Sequence, residues 1–201
     1  MRFSGVIFDM DGTLVDSRLD FAAMRRETGC PVGVGLLEYQ AGLSDPADQA
    51  RTAEIIHRHE MAGAAAASWM PGAREMLATL QSWSVPTGIV TRNSRAATEL
   101  TLRRLDAPAV DVIAREDAAP KPDPEGLLLL ARRWSTPPAA LVYIGDFRFD
   151  LEAAQNAGMA SGLYLQTDNR DYAHLADYAF EHFDNLMEWL PPRLGKRELY
   201  P

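Results

Sequence analysis

Val6-Ile7-Phe8-Asp9-Met10-Asp11-Gly12-Thr13-Leu14-Val15-Asp16 runs from unbroken apolar sequence straight into two acids one residue apart, followed by Gly-Thr. The apolar stretch from Phe3 to Phe8 reads as a strand covered on both faces, because such strands lack polar alternation. A carboxylate pair at the end of a buried strand is costly unless a cation or chemistry accompanies it. The reading of the whole chain works outward from that pair.

Further short, β-branched or apolar runs occur at Val85 to Val90, Val110 to Ala114, Leu141 to Ile144, Gly162 to Leu165 and, more weakly, Tyr178 to Phe180. Segments with helical spacing separate most of them. Strands alternating with helices predict parallel pairing and a layered α/β fold. Between Arg18 and Trp69 the rhythm changes to helical patterns without a strand. Leu19, Ala22, Ala23 and Arg26 predict one helix ending near Gly29; Leu36, Leu37, Gln40 and Ala41 predict a second ending near Gly42. Asp45-Pro46 opens a third, with an N-cap acid and proline at the first helical position. Asp16 and Ser17 are expected to cap the first of these helices. The expected division is a catalytic core of residues 1–17 and 70–201 and a helical insertion of residues 18–69. The chain after Leu190 is expected to form an irregular end.

The chain has 201 residues, 47% of them hydrophobic, enough for one sizeable core. A net charge of -8 argues against nucleic acid as a partner. The single Cys30 cannot form an internal disulfide, fits a reducing compartment and is expected to be an ordinary buried thiol. No signal-peptide pattern is present, and no apolar stretch approaches the ~20 residues of a membrane span. The expectation is a cytoplasmic protein, monomer or homodimer, without a membrane partner.

In open α/β sheets ligands bind beyond the carboxyl ends of the strands. Asp9 and Asp11 follow the first strand, Thr91-Arg92-Asn93-Ser94 the second, Lys121 the third at a short distance, and Gly145-Asp146 with Asp150 the fourth. Parallel strands would gather these groups at one edge. Oxygen ligands without His or Cys favour a hard cation such as Mg²⁺. Lysine is a compact positive charge suited to a phosphoryl oxygen. The Thr91 hydroxyl and the amides that open the next helix form an anion site, and an aspartate nucleophile would form an acyl-phosphate.

The set Asp9-Met10-Asp11-Gly12-Thr13, Thr91, Lys121 and Gly145-Asp146-Phe147-Arg148-Phe149-Asp150 strongly resembles the four ordered motifs of the haloacid dehalogenase-like hydrolase superfamily. The position of the insertion resembles the helical cap of its phosphoglycolate phosphatase-like subgroup. The resemblance implies a three-layer Rossmann-like core with a small all-helical cap after the first strand. It implies Asp9 as nucleophile and Mg²⁺ ligand, and Asp11 as acid and then base, with its backbone carbonyl on the metal. Thr91 and Lys121 would hold the phosphoryl group. Asp146 would bind the metal directly, and Asp150 would support it through water or orient Lys121. Gly12 would allow close approach, and Asn93 is a candidate phosphate contact. The implied activity is Mg²⁺-dependent hydrolysis of a small phosphorylated metabolite through an aspartyl-phosphate. A phosphomutase of the same superfamily needs the same motifs, and a non-catalytic binding protein would use the same scaffold.

Several residues have a plainer reading beside the functional one. Arg92 either reaches a second anionic group of the substrate or is a surface or helix-capping arginine. Arg148 could pair with a neighbouring acid, and Phe147 either narrows the site or packs under the cap. His57 and His59, two apart on a helix, do not face one another and are not metal ligands. Gly33-Val34-Gly35 is a candidate specificity loop.

Overall fold

The computed structural model describes residues 2–194. In chain order the elements are β1 (Gly5–Phe8), β2 (Val15–Asp16), α1 (Phe21–Thr28), α2 (Leu36–Gly42), α3 (Pro46–Ala66), β3 (Ser68–Trp69) and α4 (Ala73–Ser82). Then come β4 (Thr87–Val90), α5 (Arg95–Arg104), β5 (Asp111–Ile113), α6 (Glu125–Arg133), β6 (Leu141–Gly145), α7 (Arg148–Ala157), β7 (Ala160–Tyr164), β8 (Tyr178–Phe180) and α8 (Phe183–Trp189). Six strands form one sheet in the order β5-β4-β1-β6-β7-β8, and every pairing is parallel. All six coincide in position with the apolar runs of the sequence.

Successive residues of a strand point to opposite faces. Val6 and Phe8 accordingly join one core with Met76, Leu77 and Leu80 of α4 and Phe183 and Leu186 of α8. Ile7 joins the other, with Leu127 and Leu130 of α6 and Ala153, Ala154 and Ala157 of α7. The sheet is thus covered on both faces, a three-layer α/β arrangement. β1 lies between β4 and β6, where the chain order along the sheet reverses, and a crevice is expected at that point.

Helices α1 to α3 leave and rejoin the core through a two-residue antiparallel pair, in which Val15 pairs with Trp69 and Asp16 with Ser68. Periodicity carried no sign of it, since two residues cannot show alternation. α1 begins at Asp20, whose Oδ1 accepts from Ala23 N at 2.8 Å, and ends at Gly29 in the left-handed region. The expected caps Asp16 and Ser17 do not serve: Asp16 is engaged in β2 and accepts from Arg18 N at 3.0 Å. Asp45 caps α3 through Ala47 N at 2.8 Å, with Pro46 at its first turn. Cys30 is buried with Met24, Leu36 and Ile56 in a small core between these helices.

The end of the chain is more ordered than expected as far as it is described. Pro191–Arg193 form a 3-10 turn, and Leu194 bridges to Phe3 and is buried. Apolar contact with the first residues of the chain supplies what composition did not reveal. Residues 195–201 of that tail lie outside the described part. Among the described residues no helix is long and apolar enough to cross a membrane.

Candidate active site

β1 delivers Asp9 into the crevice. Its backbone N–H donates to Ile144 O at 2.8 Å, extending the ladder to β6 by one residue beyond the strand. The chain then folds back tightly: Leu14 N and Val15 N both donate to Met10 O at 2.9 Å, and Gly12 N to Val15 O at 2.8 Å. Gly12 has φ +76°, and a Cβ there would lie 2.3 Å from Asp146 Oδ2. Only glycine lets this turn approach the acid that follows β6.

Lys121 reaches the same place from the loop after β5. Its Nζ pairs with Asp9 Oδ1 at 2.7 Å and donates to Asp150 Oδ1 at 2.6 Å and to Tyr143 Oη at 2.8 Å. Lysine has three N–H donors, and three oxygens stand within 2.8 Å of Nζ. Asp150, on the first turn of α7, also accepts from Phe147 N through Oδ2 at 2.9 Å. Tyr143 Oη lies 2.9 Å from Asp150 Oδ1 and 3.1 Å from Val90 O. Asp146 accepts from the Thr13 hydroxyl at 3.2 Å through Oδ1, and Gln166 Nε2 lies 3.4 Å from Oδ2. Gln166 Nε2 also donates to Gly12 O at 2.7 Å, and Asn169 Nδ2 to Asp146 O at 2.7 Å. The turn after β7 therefore holds the loops of β1 and β6 together.

Burial of so many acids around one cation has an electrostatic consequence. Burial pushes the Asp9 carboxyl up to about 7; Lys121 opposes the shift, while Asp150 and Asp11 add to it. Burial likewise raises Asp11 to about 6. Asp146 is held well above the carboxylate range, by burial first and then by Asp150 and Asp9. Burial alone would lower Lys121, but Asp150 and Asp9 outweigh it and raise its pKa.

Asp9, Asp146 and Asp150 each offer an oxygen within 4.8 Å of the others. Both oxygens of Asp150 are already engaged, by Lys121, Tyr143 and the Phe147 N–H. Asp9 and Asp146 retain the capacity to bind a cation. An all-oxygen, multiply acidic donor set fits a hard divalent ion, which would also relieve the repulsion that burial intensifies.

Of the residues singled out from sequence, Asp9, Lys121, Asp146 and Asp150 converge. Thr91 is buried at the end of β4, and its Oγ1 accepts from Asn93 N at 3.1 Å. Asn93 does not point its amide at an anion site: Nδ2 donates to Asp11 Oδ2 at 2.5 Å. Asp11 Oδ1 is buried without a hydrogen-bond partner among the described residues. Arg92 pairs with Glu38 of α2 at 2.5 Å and donates to Lys121 O at 3.2 Å. It ties the insertion to the lysine loop and is neither free in the crevice nor a simple surface group. Arg148 lies over the Phe149 ring at 4.9 Å rather than on an acid. Phe147 packs edge-on against Phe149 and Tyr172. His59 binds Glu27 at 2.9 Å.

Tyr143, Gln166 and Asn169 were missed. Tyr143 sits inside an apolar strand and reads there as core. Gln166 and Asn169 follow β7, so the strand-end rule, carried one strand further, would have found them.

The sequence model of the haloacid dehalogenase-like hydrolase family matches residues 3–158. An N-acetylmuramic acid 6-phosphate phosphatase of Pseudomonas putida is 27% identical over 208 residues, covering 90% of this chain and 93% of that protein. A phosphoglycolate phosphatase of Synechococcus elongatus is 30% identical over 170 residues, covering 77% of this chain and 80% of that one. Among solved structures, a hydrolase from Pseudomonas syringae superposes with a TM-score of 0.77 at 22% identity, covering 96% of this chain and 100% of the other. The sequence match spans both the strand that carries Asp9 and the one that precedes Asp146, and the chain belongs to the haloacid dehalogenase-like hydrolase family.

Proposed function

We propose that this protein is a Mg²⁺-dependent phosphatase that hydrolyses a small phosphomonoester through an aspartyl-phosphate on Asp9. The observation that carries the reading is the convergence of Asp9, Lys121, Asp146 and Asp150 at the mouth between β1 and β6. Asp9 attacks phosphorus, the bond to the leaving oxygen breaks, and Asp11 gives that oxygen its proton. Asp11, now ionised, takes a proton from water. The hydroxide attacks phosphorus, and phosphate leaves with regeneration of the Asp9 carboxylate. The raised pKa of Asp11, about 6, suits a group that must act in both protonation states. Lys121, fixed by Asp150 and Tyr143, offsets the repulsion between the Asp9 carboxylate and an anionic substrate. The Thr91 hydroxyl would donate to a phosphoryl oxygen, whereas the amides of Asn93, Ser94 and Arg95 already face Thr91 Oγ1, Glu60 and Glu116 and do not form the anion site expected at the start of α5. Mg²⁺, held by Asp9, Asp146 and the Asp11 carbonyl, would supply charge neutralisation on the phosphoryl oxygens. The insertion of α1 to α3 is the cap in this reading.

The names of two relatives, an N-acetylmuramic acid 6-phosphate phosphatase and a phosphoglycolate phosphatase, support a small phosphorylated metabolite as the substrate class. Both belong in a panel of phosphorylated metabolites assayed for phosphate release with and without Mg²⁺. Release is expected for at least one, with loss on chelation. Asp9→Asn is expected to abolish turnover while the melting curve stays cooperative. Wild-type turnover in that variant would refute the nucleophile. A hexose 1-phosphate followed by ³¹P resonance gives free phosphate in this reading and an isomeric sugar phosphate if the enzyme is a mutase.

A further inference from the structure

Glu60, in the middle of α3, is 5% exposed. Glutamate is rarely so buried unless paired, and its partners lie in the core rather than in the insertion. Oε1 accepts from Arg115 Nη1 at 2.6 Å and Oε2 from Arg115 Nη2 at 3.1 Å, a two-point clasp. Oε2 also lies 3.3 Å from Ser94 N. Arg115 is bound in turn to the loop after β4: its backbone N–H donates to Asn93 O at 3.0 Å, and Nη1 lies 3.4 Å from Arg92 O. Asn93 completes the series by donating from Nδ2 to Asp11 Oδ2 at 2.5 Å. Continuous hydrogen bonding therefore runs from a helix of the insertion to the carboxylate read above as acid and base.

We infer that Glu60 is a positioning residue for Asp11, acting through Arg115 and Asn93, so that proton transfer is competent when α3 is seated on the core. The inference rests on the proposed role of Asp11. A buried ion pair is a weak source of net stability, and an apolar pair of equal volume would anchor α3 as well. What the ion pair adds is a fixed direction for the loop that carries Asn93. α3 is also seated against the chain leaving the Asp9–Asp11 turn: a Cβ on Gly63 would lie 2.7 Å from Ser17 O. Displacement of α3 is thus transmitted to both ends of the site. Asp11 keeps its Oδ1 unpartnered among the described residues, as a group that must exchange a proton with substrate requires.

A misplaced acid and a loosened fold leave different kinetic signatures. Loss of a general acid slows poor leaving groups more than good ones, because a stabilised phenolate departs without a proton. kcat/KM is measured for aryl phosphates graded from 4-nitrophenyl to unsubstituted phenyl, for wild type, Glu60→Ala, Glu60→Gln, Asn93→Ala and the Glu60→Ala/Asn93→Ala pair. Glu60→Ala and Asn93→Ala are expected to lose roughly 10- to 100-fold on phenyl phosphate and far less on 4-nitrophenyl phosphate. The pair should be no slower than Asn93→Ala alone. Glu60→Gln, which keeps an acceptor for Arg115, should lie between Ala and wild type, and it carries the test if the alanine variant does not fold. Equal losses across the series, no loss, or penalties that multiply in the pair would overturn the inference. Asp9→Asn assayed alongside separates the two levels. If it retains turnover, the proposed function has failed; if it is inactive while the leaving-group slope is unchanged in the Glu60 variants, only the positioning role has.

Discussion

Lys121 Nζ has acceptors on Asp9, Asp150 and Tyr143 between 2.6 and 2.8 Å away, and no water is needed to satisfy it. It is the central cation among acids that burial would otherwise neutralise. Lys121→Met keeps most of the side-chain volume and removes the charge. In the metal-free protein above pH 7 this leaves Asp9 and Asp150 facing one another uncompensated, and urea denaturation should report a loss of about 3–5 kcal/mol. The loss should shrink near pH 5, where burial keeps the proton on Asp9, whose pKa is about 7. A pH-independent loss would show that the lysine acts by packing alone. At this scale the sequence was most readable where side-chain chemistry is distinctive. Two acids at a strand end and a lysine among prolines admit few bland readings. Asn93 reads from sequence as part of the site, but its bond to Asp11 does not, because a short amide at a strand end suits an anion and a carboxylate equally. Tyr143 was invisible, since its hydroxyl matters only once Lys121 and Asp150 have been brought to it across the sheet.

At the scale of elements, the strands were legible because burial on both faces demands continuous apolar runs, as in β1 and β6. The helices of the insertion were legible from caps and stops, Asp45-Pro46 and Gly29 among them. β2 and β3 were not, because their pairing depends on where the insertion ends meet in space. The turn after β7 escaped for a similar reason: nothing in Gln166 to Asn169 announces contacts with loops more than twenty residues distant in sequence. Yet Asn169, 4% exposed, spends both amide hydrogens on Asp146 O and Tyr164 O and accepts from Gln166 N through Oδ1 at 2.7 Å. It fixes the backbone of a proposed metal ligand. Asn169→Ala should therefore weaken Mg²⁺ binding by about 10- to 100-fold, as loss of outer partners commonly does. Calorimetric titration of the metal alone measures this without reference to turnover. The exposed neighbour Asp168→Ala should leave the affinity unchanged, and equal effects from the two would remove the loop from the site.

For the molecule as a whole, the site is a concentration of negative charge that the fold holds under strain from burial. The Asp9 carboxyl rises from 3.8 to about 7 and Asp11 from 3.8 to about 6, so between these limits the folded chain keeps protons that the unfolded chain has released. Stability falls with rising pH wherever the native state binds more protons than the unfolded one. The stabilising protons are fully present below about pH 4 and lost by the time pH passes 7, and Asp146 acts in the same direction. Lys121 stays charged throughout and does not contribute to the slope. Burial would raise Asp111 as well, but Trp134 and Arg133 bring it below its ordinary value, so its opposite effect is complete at the acid edge of this window. In chelator, the melting temperature should therefore decline from pH 5 to pH 8. If the proposed site holds Mg²⁺, excess Mg²⁺ should bind the ionised cluster in the folded state only and stabilise by an amount set by its concentration relative to its dissociation constant. Its effect should be small at pH 5, where it competes with bound protons, and large at pH 8, so that the two melting curves diverge as pH rises. A parallel offset between them would place the ion elsewhere on the protein. A melting temperature that climbs with pH in chelator would mean that the acids at the end of β1 are not under the electrostatic load their burial implies. The divergence should be much reduced in Asp146→Asn, which removes one of the two carboxylates left with capacity for the cation.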